Sequence, residues 1–459
     1  MLSHDHAPTT VLIGGVMLLD GVSTWVTTSL LPTAVDDIGG RQLYAWATTV
    51  FLLTSVIAAL LVARTVSGVG ARTGFEIGLG AFIVGTLTAA AAPAMPVLLA
   101  GRGIQGAGVG LVAGLSYVSV QAELPQRLWS RASGLISAAM AAGFFIGPLI
   151  GGICAQLGLW RLAFLVVAAL TAPLMLLVPR AIRRHQRDRR LDPIPVGSVL
   201  LLTGSAALIG VAGLRTDPAF TTIAVASGLT LIAIFLLRES RPRQRARVLP
   251  LLTYTSGAPL ARLYLTRALI TIAASAEAFI TLFGQELGNL TPVAAGFLGT
   301  ALPVGWALTQ LASSTIDSAT LIRRLSVIGP LLTAAALAFT ATLHHTQPSG
   351  LTITGWALGY LLAGSGIGMA MPHLTVAVMA AATTPGEATK ASAAMNTVGL
   401  FAFSIGSALG GTILGLAHPS LPRAGHYLLL ACATSATLAA LIATSTLRST
   451  TTGPEQRSI

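Results

Sequence analysis

Two carboxylates, Asp20 and Glu277, lie deep inside apolar runs of the chain. Asp20 falls about ten residues into its run, and Glu277 about ten residues beyond Arg267, taken as a membrane-interface residue; at ~1.5 Å of helical rise per residue each reaches ~15 Å, the middle of a ~30 Å hydrocarbon layer. A charged carboxylate is costly there, so both are poised to exchange a proton or to meet a cationic guest. A hydrogen bond to a neighbouring helix is the plainer role for each. Arg102 and Gln105 stand one helical turn apart on a common face of the run from Leu98 to Gly110, and an arginine inside such a run normally faces a cavity or a partner. Thr24, Thr27 and Thr28 share a helical face with Asp20 and would add hydroxyls to the same stripe. Asn396 and Gln285 are candidates for touching a small molecule, with interhelical hydrogen bonding the equal alternative. His373 reads as a packing or capping residue, and the pair His344-His345 as a solvated turn. No metal-ligand spacing, phosphate-binding glycine loop or nucleophile elbow occurs. The expected site therefore holds no catalytic residue, no metal and no cofactor.

The elements that position these groups follow from composition. The chain has 459 residues, of which 54% are hydrophobic and only 9% charged. Soluble domains carry about 25% charged residues, so a water-facing surface cannot be built here and the missing surface must face lipid. Fourteen apolar spans run from about residue 10 to about residue 447, punctuated by breakers such as Asp217-Pro218, Pro348-Ser349-Gly350 and Pro385-Gly386. The net charge of +12 would suit nucleic acid, but the bases sit between spans and are better read as orientation signals. With the N-terminus inside, 22 basic residues fall on the cytoplasmic side and five outside, so both termini are expected in the cytoplasm. The first apolar run contains Asp20 and lacks a preceding positive region, so it reads as a retained helix. Cys154 and Cys432 are the only cysteines and lie in apolar stretches, which argues against a disulfide framework. Lys390 is the only lysine among 27 basic residues, a bias that suggests a GC-rich bacterial genome and hence the bacterial plasma membrane.

Glycine spacing adds packing signals. Gly106, Gly110 and Gly114 follow Arg102 as a stripe at every fourth position, and Gly143, Gly147 and Gly151 form another, with Pro148 and Gly152 beside it. Such stripes let helices approach closely. Taken together, the Arg102-Gly103-x-Gln105-Gly106-x-Gly108 and Gly147-Pro148-x-x-Gly151-Gly152 runs resemble two signature motifs of the major facilitator superfamily. The second is similar to its antiporter motif. Leu19-Asp20 with Leu31-Pro32, Gly364-x-Gly366-x-Gly368-Met369-Ala370-Met371-Pro372 and Ala391 to Asn396 resemble the fourteen-helix drug:proton antiporter branch. The resemblance covers nearly the whole chain. It implies an all-α integral membrane fold: two six-helix bundles around a central cavity, with alternating access, plus two inserted central helices. The corresponding organisation is residues 1–179 for the first bundle, 180–247 for two basic loops and the inserted pair, 248–447 for the second bundle and 448–459 for a cytoplasmic tail. The implied function is proton-coupled export of hydrophobic or amphipathic small molecules, with protons and the lipid bilayer as partners, no nucleic acid, and a monomeric state. The alternatives are a lipid or glycolipid exporter of the same fold and, more remotely, a membrane glycosyltransferase using Asp36-Asp37. That enzyme would need long outer loops, and the loops here are short.

One family motif is broken. The loop after the second span should run Gly-x-x-x-Asp-Arg-x-Gly-Arg-Arg/Lys, and Arg72 and Gly74 match it, but Ala71 replaces the acid and Phe75-Glu76 replaces the basic end. In the family that acid belongs to a charge network holding the cytoplasmic gate. Arg72 and Glu76, spaced i, i+4, are suited to replace part of it. Ala71→Asp should shift the balance between inward- and outward-facing states. Distances between spin labels on the cytoplasmic ends of the two bundles would report it, and an unchanged distribution would count against a weakened gate.

Overall fold

A computed structural model describes residues 7–124, 129–182, 196–212, 217–241, 249–254, 259–316, 318–345, 348–381, 385–417 and 419–451. Every regular element among the described residues is helical. Lipid offers backbone groups no partners, so a spanning segment must close its own hydrogen bonds as a helix. Contacts divide the chain into two compact units, Met1–Ile194 with Ala278–Thr300, and Pro195–Glu277 with Ala301–Ile459. Among the described residues, thirteen helical stretches are long and apolar enough to cross a membrane. Helix α8 (Val196–Ala212) is apolar but only 17 residues long, so the fourteenth expected span rests on it.

The first unit contains α1 (Ala7–Ile38), α2 (Tyr44–Leu60), α3 (Val62–Val69), α4 (Ala71–Ala90), α5 (Met95–Glu123), α6 (Trp129–Gln156) and α7 (Trp160–Ala181). It also takes in most of α11 (Glu277–Glu286) and the first part of α12 (Pro292–Ser313). Glycine stripes set its spacing. A β-carbon on Gly106 would strike the Phe51 carbonyl, and one on Gly110 the Ser55 carbonyl, both on α2. On α6, Gly143 would bring a β-carbon within 2.8 Å of Gly21 Cα, and Gly151 within 2.5 Å of the Val26 carbonyl oxygen. Gly147 lies against Trp25, and Gly152 against Val293 of α12. Backbone thus meets backbone along α1–α6 and α2–α5, where dispersion and not a hydrophobic drive must hold helices together. Hydroxyls are satisfied locally: Thr24, Thr27 and Thr28 donate to the carbonyls of Asp20, Ser23 and Thr24. The outward faces carry large apolar side chains, such as Leu176 at 74% exposure, as lipid contact requires.

At the broken loop motif, Gly70 joins α3 to α4 with φ at +88°, a conformation that favours glycine. Arg72 and Glu76 pair at 3.2 Å on the first turns of α4, and Gly74 packs against Leu115 and Thr65.

The second unit contains α8, α9 (Pro218–Glu239), α10 (Pro259–Ala274), α13 (Ala319–Thr342), α14 (Gly350–Ala380), α15 (Pro385–Leu416), α16 (Leu421–Thr451) and the remainder of α12. Helices α8 and α9 pack on each other, and Thr412 of α15 donates to the Ile209 carbonyl of α8 at 2.8 Å. Buried Glu239 closes the pair, accepting from the Ser198 hydroxyl and, at 3.0 Å, from the Leu249 amide.

A single apolar span, Leu260–Glu286, holds both α10 and α11, with a turn at Ser275 and Ala276 between them. One expectation is corrected. His344 is not solvated: it is buried, its Nδ1 donates to the Thr340 carbonyl, and it stacks on Trp356 with centroids 4.6 Å apart. Burial pushes its pKa down to about 4, so it stays neutral; only His345 beside it is exposed. The basic segments 183–195 and 242–248, the tail from residue 452 and the Lys390 side chain, on which the expected orientation largely rests, lie outside the described residues.

Gly110→Val should cost about 1–3 kcal/mol through overpacking and lower the unfolding midpoint in detergent. Gly350→Ala, where the added carbon meets nothing, should leave the midpoint unchanged. Equal midpoints for the two variants would show that the α2–α5 approach is not tight.

Candidate functional site

Arg102 anchors the polar cluster of the first unit. Its side chain is buried at 2% exposure on α5, among apolar residues that cannot solvate a charge. The guanidinium answers this with several partners. Nη1 donates to Gln105 Oε1, Nε points at the Ala47 carbonyl at 3.5 Å, and the group lies over the Phe51 ring at 4.0 Å. Gln105, fully buried, passes the connection on: its Nε2 donates to Thr86 Oγ1 at 2.9 Å, and Thr86 donates to the Phe82 carbonyl. One continuous chain of hydrogen bonds therefore joins α5 to α4, with α2 supplying the ring and the carbonyl. Close approach of α5 to both neighbours, through Gly101 against α4 and Gly106 against α2, brings these partners into reach.

Asp20 of α1 completes the cluster electrostatically. It is partly exposed on the unit's own surface, and its charge interacts with that of Arg102. Thr24 and Thr28 continue the partly exposed stripe at successive helical turns. Thr27 is buried off that stripe, and all three hydroxyls are occupied by their own helix. Arg102 and Gln105 thus come together, with Asp20 near enough for its charge to act on Arg102, while the three threonine hydroxyls are committed to carbonyls of their own helix.

Glu277 stands apart from that cluster as the first residue of α11, immediately after the break. A helix N-terminus presents unpaired amides and a positive dipole end, which favours a carboxylate at that point. Ser275, in the break, donates to the Ile272 carbonyl, closing the end of α10. Sequence reading placed Glu277 in the middle of a continuous helix and missed this, because neither glycine nor proline marks the break.

Other expected residues have structural duties. Gln285 donates to the Ser29 carbonyl at 3.0 Å, and Glu286 pairs with Arg41 at 2.6 Å, tying α11 to the α1 end of the first unit. His373 meets Ser313 at 2.8 Å, and that hydroxyl donates to the Met369 carbonyl, so the imidazole is the donor to Ser313. The Asn396 side chain lies outside the described residues. Pro148 is buried beside Gly296 of α12. Asp37 is held by Arg161 at 2.7 Å and by the Trp160 indole at 3.1 Å, so it is engaged in an ion pair and not displayed as half of an acidic pair. Both cysteines are buried and free.

Similarity to known proteins bears on the family and the fold. The sequence profile of the Major Facilitator Superfamily matches residues 13–411. A protein of Mycobacterium tuberculosis named a probable multidrug-efflux transporter is 41% identical over 424 residues, covering 91% of this chain and 89% of its own length. A protein of Mycobacterium leprae named a probable triacylglyceride transporter is 27% identical over 334 residues, covering 65% of this chain and 63% of its own. Among solved structures, a peptide transporter in complex with sulfate superposes with a TM-score of 0.73 at 11% identity, covering 96% of this chain and 94% of that one. A transporter in complex with 5-aminolevulinic acid gives 0.70 at 16% identity, with 94% of each chain covered. These structural likenesses concern the fold.

Gln105→Leu should leave Arg102 without its side-chain acceptor and Thr86 without its donor, costing about 1–3 kcal/mol of stability. Thermal unfolding in detergent checks this. An unchanged midpoint would mean that the guanidinium finds a replacement partner.

Proposed function

The chain belongs to the Major Facilitator Superfamily and is a multi-pass membrane transporter, and from that premise we propose that it exports hydrophobic or amphipathic small molecules in exchange for protons. The observation that carries the coupling step is the Asp20–Arg102 relation. Asp20 is reachable on its helix, whereas Arg102 is immobilised by Gln105, Phe51 and Ala47. A fixed cation whose field reaches a partly exposed carboxylate lets that carboxylate change charge without unfolding its surroundings. Coupling requires that the carboxylate prefer different protonation in the two access states, since otherwise a proton gradient biases nothing. Glu277, at the break, is the second proton or cation position in this reading. The export direction and the range of cargo are supported by the 41% identical relative named for multidrug efflux. The bacterial plasma membrane, cytoplasmic termini and monomeric state belong to the same proposal. So does the division into two six-helix bundles with α8 and α9 inserted.

A second reading, export of a neutral lipid, draws support from the relative named a triacylglyceride transporter. The two readings differ in cargo and share a route.

Purified protein in proteoliposomes, loaded with ethidium and driven by a pH gradient, tests the proposal. Asp20→Asn should abolish gradient-driven flux while leaving folding and ethidium binding largely intact. Glu277→Gln should lower flux, most strongly for cations. If both variants keep wild-type flux and wild-type pH dependence, neither carboxylate couples protons to transport. Flux of a labelled triacylglyceride with none of ethidium would favour the second reading.

A further inference from the structure

A second guanidinium held largely inside its unit, Arg267 of α10, has no counter-charge among the described residues. It sits between α14 and α15, where Nη1 meets the Met371 thioether at 2.6 Å and Nε is buried without an acceptor. A thioether is a weak acceptor and carries no charge. The contrast with Arg102 is chemical: that group has a carboxamide oxygen, a backbone carbonyl and an aromatic face as partners and feels the charge of Asp20, whereas Arg267 has sulfur alone as a hydrogen-bond partner among the described residues.

Among the described side chains of the surrounding helices no carboxylate pairs with it. Helices α10, α14, α15 and α16 pack together, and α14 and α16 contain neither aspartate nor glutamate. The acid of α15 is Glu387, which at ~1.5 Å per residue lies about 18 Å along the helix from Gly399, the residue beside Arg267. Glu277 lies beyond the turn at Ser275 and Ala276 and forms no ion pair with Arg267. A guanidinium stays protonated in any accessible environment, so it cannot escape by losing its charge. Gly399 makes room for the group, because a β-carbon there would stand 2.6 Å from Nη2. The residue is partly exposed although Nε is not, so an incoming group would meet the outer part of the guanidinium. A charge placed at this depth, given space and left unpaired is a receptor for a negative group.

We propose that Arg267 binds the anionic oxyacid headgroup of an amphiphile, its carboxylate, sulfonate or phosphate, with the apolar tail against the neighbouring helices. The inference rests on the reading of this chain as a carrier of amphipathic molecules and narrows their chemistry to include acids. The same headgroup chemistry could belong to transported cargo or to a resident anionic phospholipid, and the experiment separates them.

Full-length protein is placed in nanodiscs of phosphatidylcholine, with or without phosphatidylglycerol, and titrated with 1-octanesulfonate or, as a matched control, octyltrimethylammonium. Charge-assisted hydrogen bonds are the stronger class, so Arg267→Gln should weaken octanesulfonate binding at least about tenfold. Arg267→Lys should retain part of the affinity, and the control should bind no better to wild type than to Arg267→Gln. Binding in pure phosphatidylcholine that phosphatidylglycerol does not displace supports the site and assigns it to cargo. Displacement by phosphatidylglycerol, together with a lipid-induced rise of the unfolding midpoint in wild type but not in Arg267→Gln, supports the site and assigns it to lipid. Equal octanesulfonate affinity and equal lipid response in wild type and Arg267→Gln overturn the proposal. The ligand-free midpoint of Arg267→Gln confirms folding, and should hold or rise because an unpaired buried cation has gone. Equilibrium binding needs no gradient, so this outcome is independent of the ethidium flux that tests transport.

Discussion

A cation enclosed by hydrocarbon must be supplied with acceptors by the protein itself, and in the first unit Arg102 imposes that demand on its own helix and on two neighbours. Gln105 must face it, α2 must present a carbonyl and an aromatic face, and α1 must carry Asp20 within electrostatic range. None of this is reachable at ordinary interaxial distances of 8–10 Å with bulky side chains between the helices. The glycines of α5 and α6 are therefore part of the charge site: they bring backbones together so that a short polar chain can span from helix to helix. Packing and electrostatics in this unit are one design, and a glycine replaced far from any charge would loosen the guanidinium as surely as loss of Gln105.

The second unit solves a different problem with similar parts. Its α12–α14 contact is again made through glycines, with Gly305 and Gly364 facing the Leu361 and Leu302 carbonyls. Hydroxyls cross between helices, as Thr309 donates to Ser365 and Thr333 to Ala363. Yet its buried arginine is left with a thioether. The two halves of the chain thus differ in how they treat a buried positive charge. One neutralises it internally and the other leaves it available.

Much of this was legible in the sequence. Arg102 and Gln105 are a turn apart, and that spacing alone predicts the hydrogen bond between them. The glycine stripes name the packing faces, because in lipid few other residues permit backbone contact. The membrane class follows from the scarcity of charge. What the sequence hides depends on tertiary placement. The break before Glu277 occurs at Ser275-Ala276, residues ordinary within helices, so no local signal marks it. His344 looks like a polar loop residue until Trp356 and Thr340 are brought beside it. Asp37 looks like half of an acidic pair until Arg161, remote in sequence, arrives. Thr27 sits on the expected face by periodicity but is covered by a neighbour that periodicity cannot place.

The bond from Thr412 to Ile209 joins residues 203 apart in sequence. At roughly 5–20 residues per second of synthesis, α8 and α9 wait about 10–40 seconds in the bilayer before α15 exists to receive them. During that interval they already have each other and Glu239, whose contacts to Ser198 and Leu249 are made early. The buried carboxylate at the end of α9 therefore serves assembly in time as well as architecture in space: it lets a two-helix hairpin stand alone until the ribosome delivers its partner.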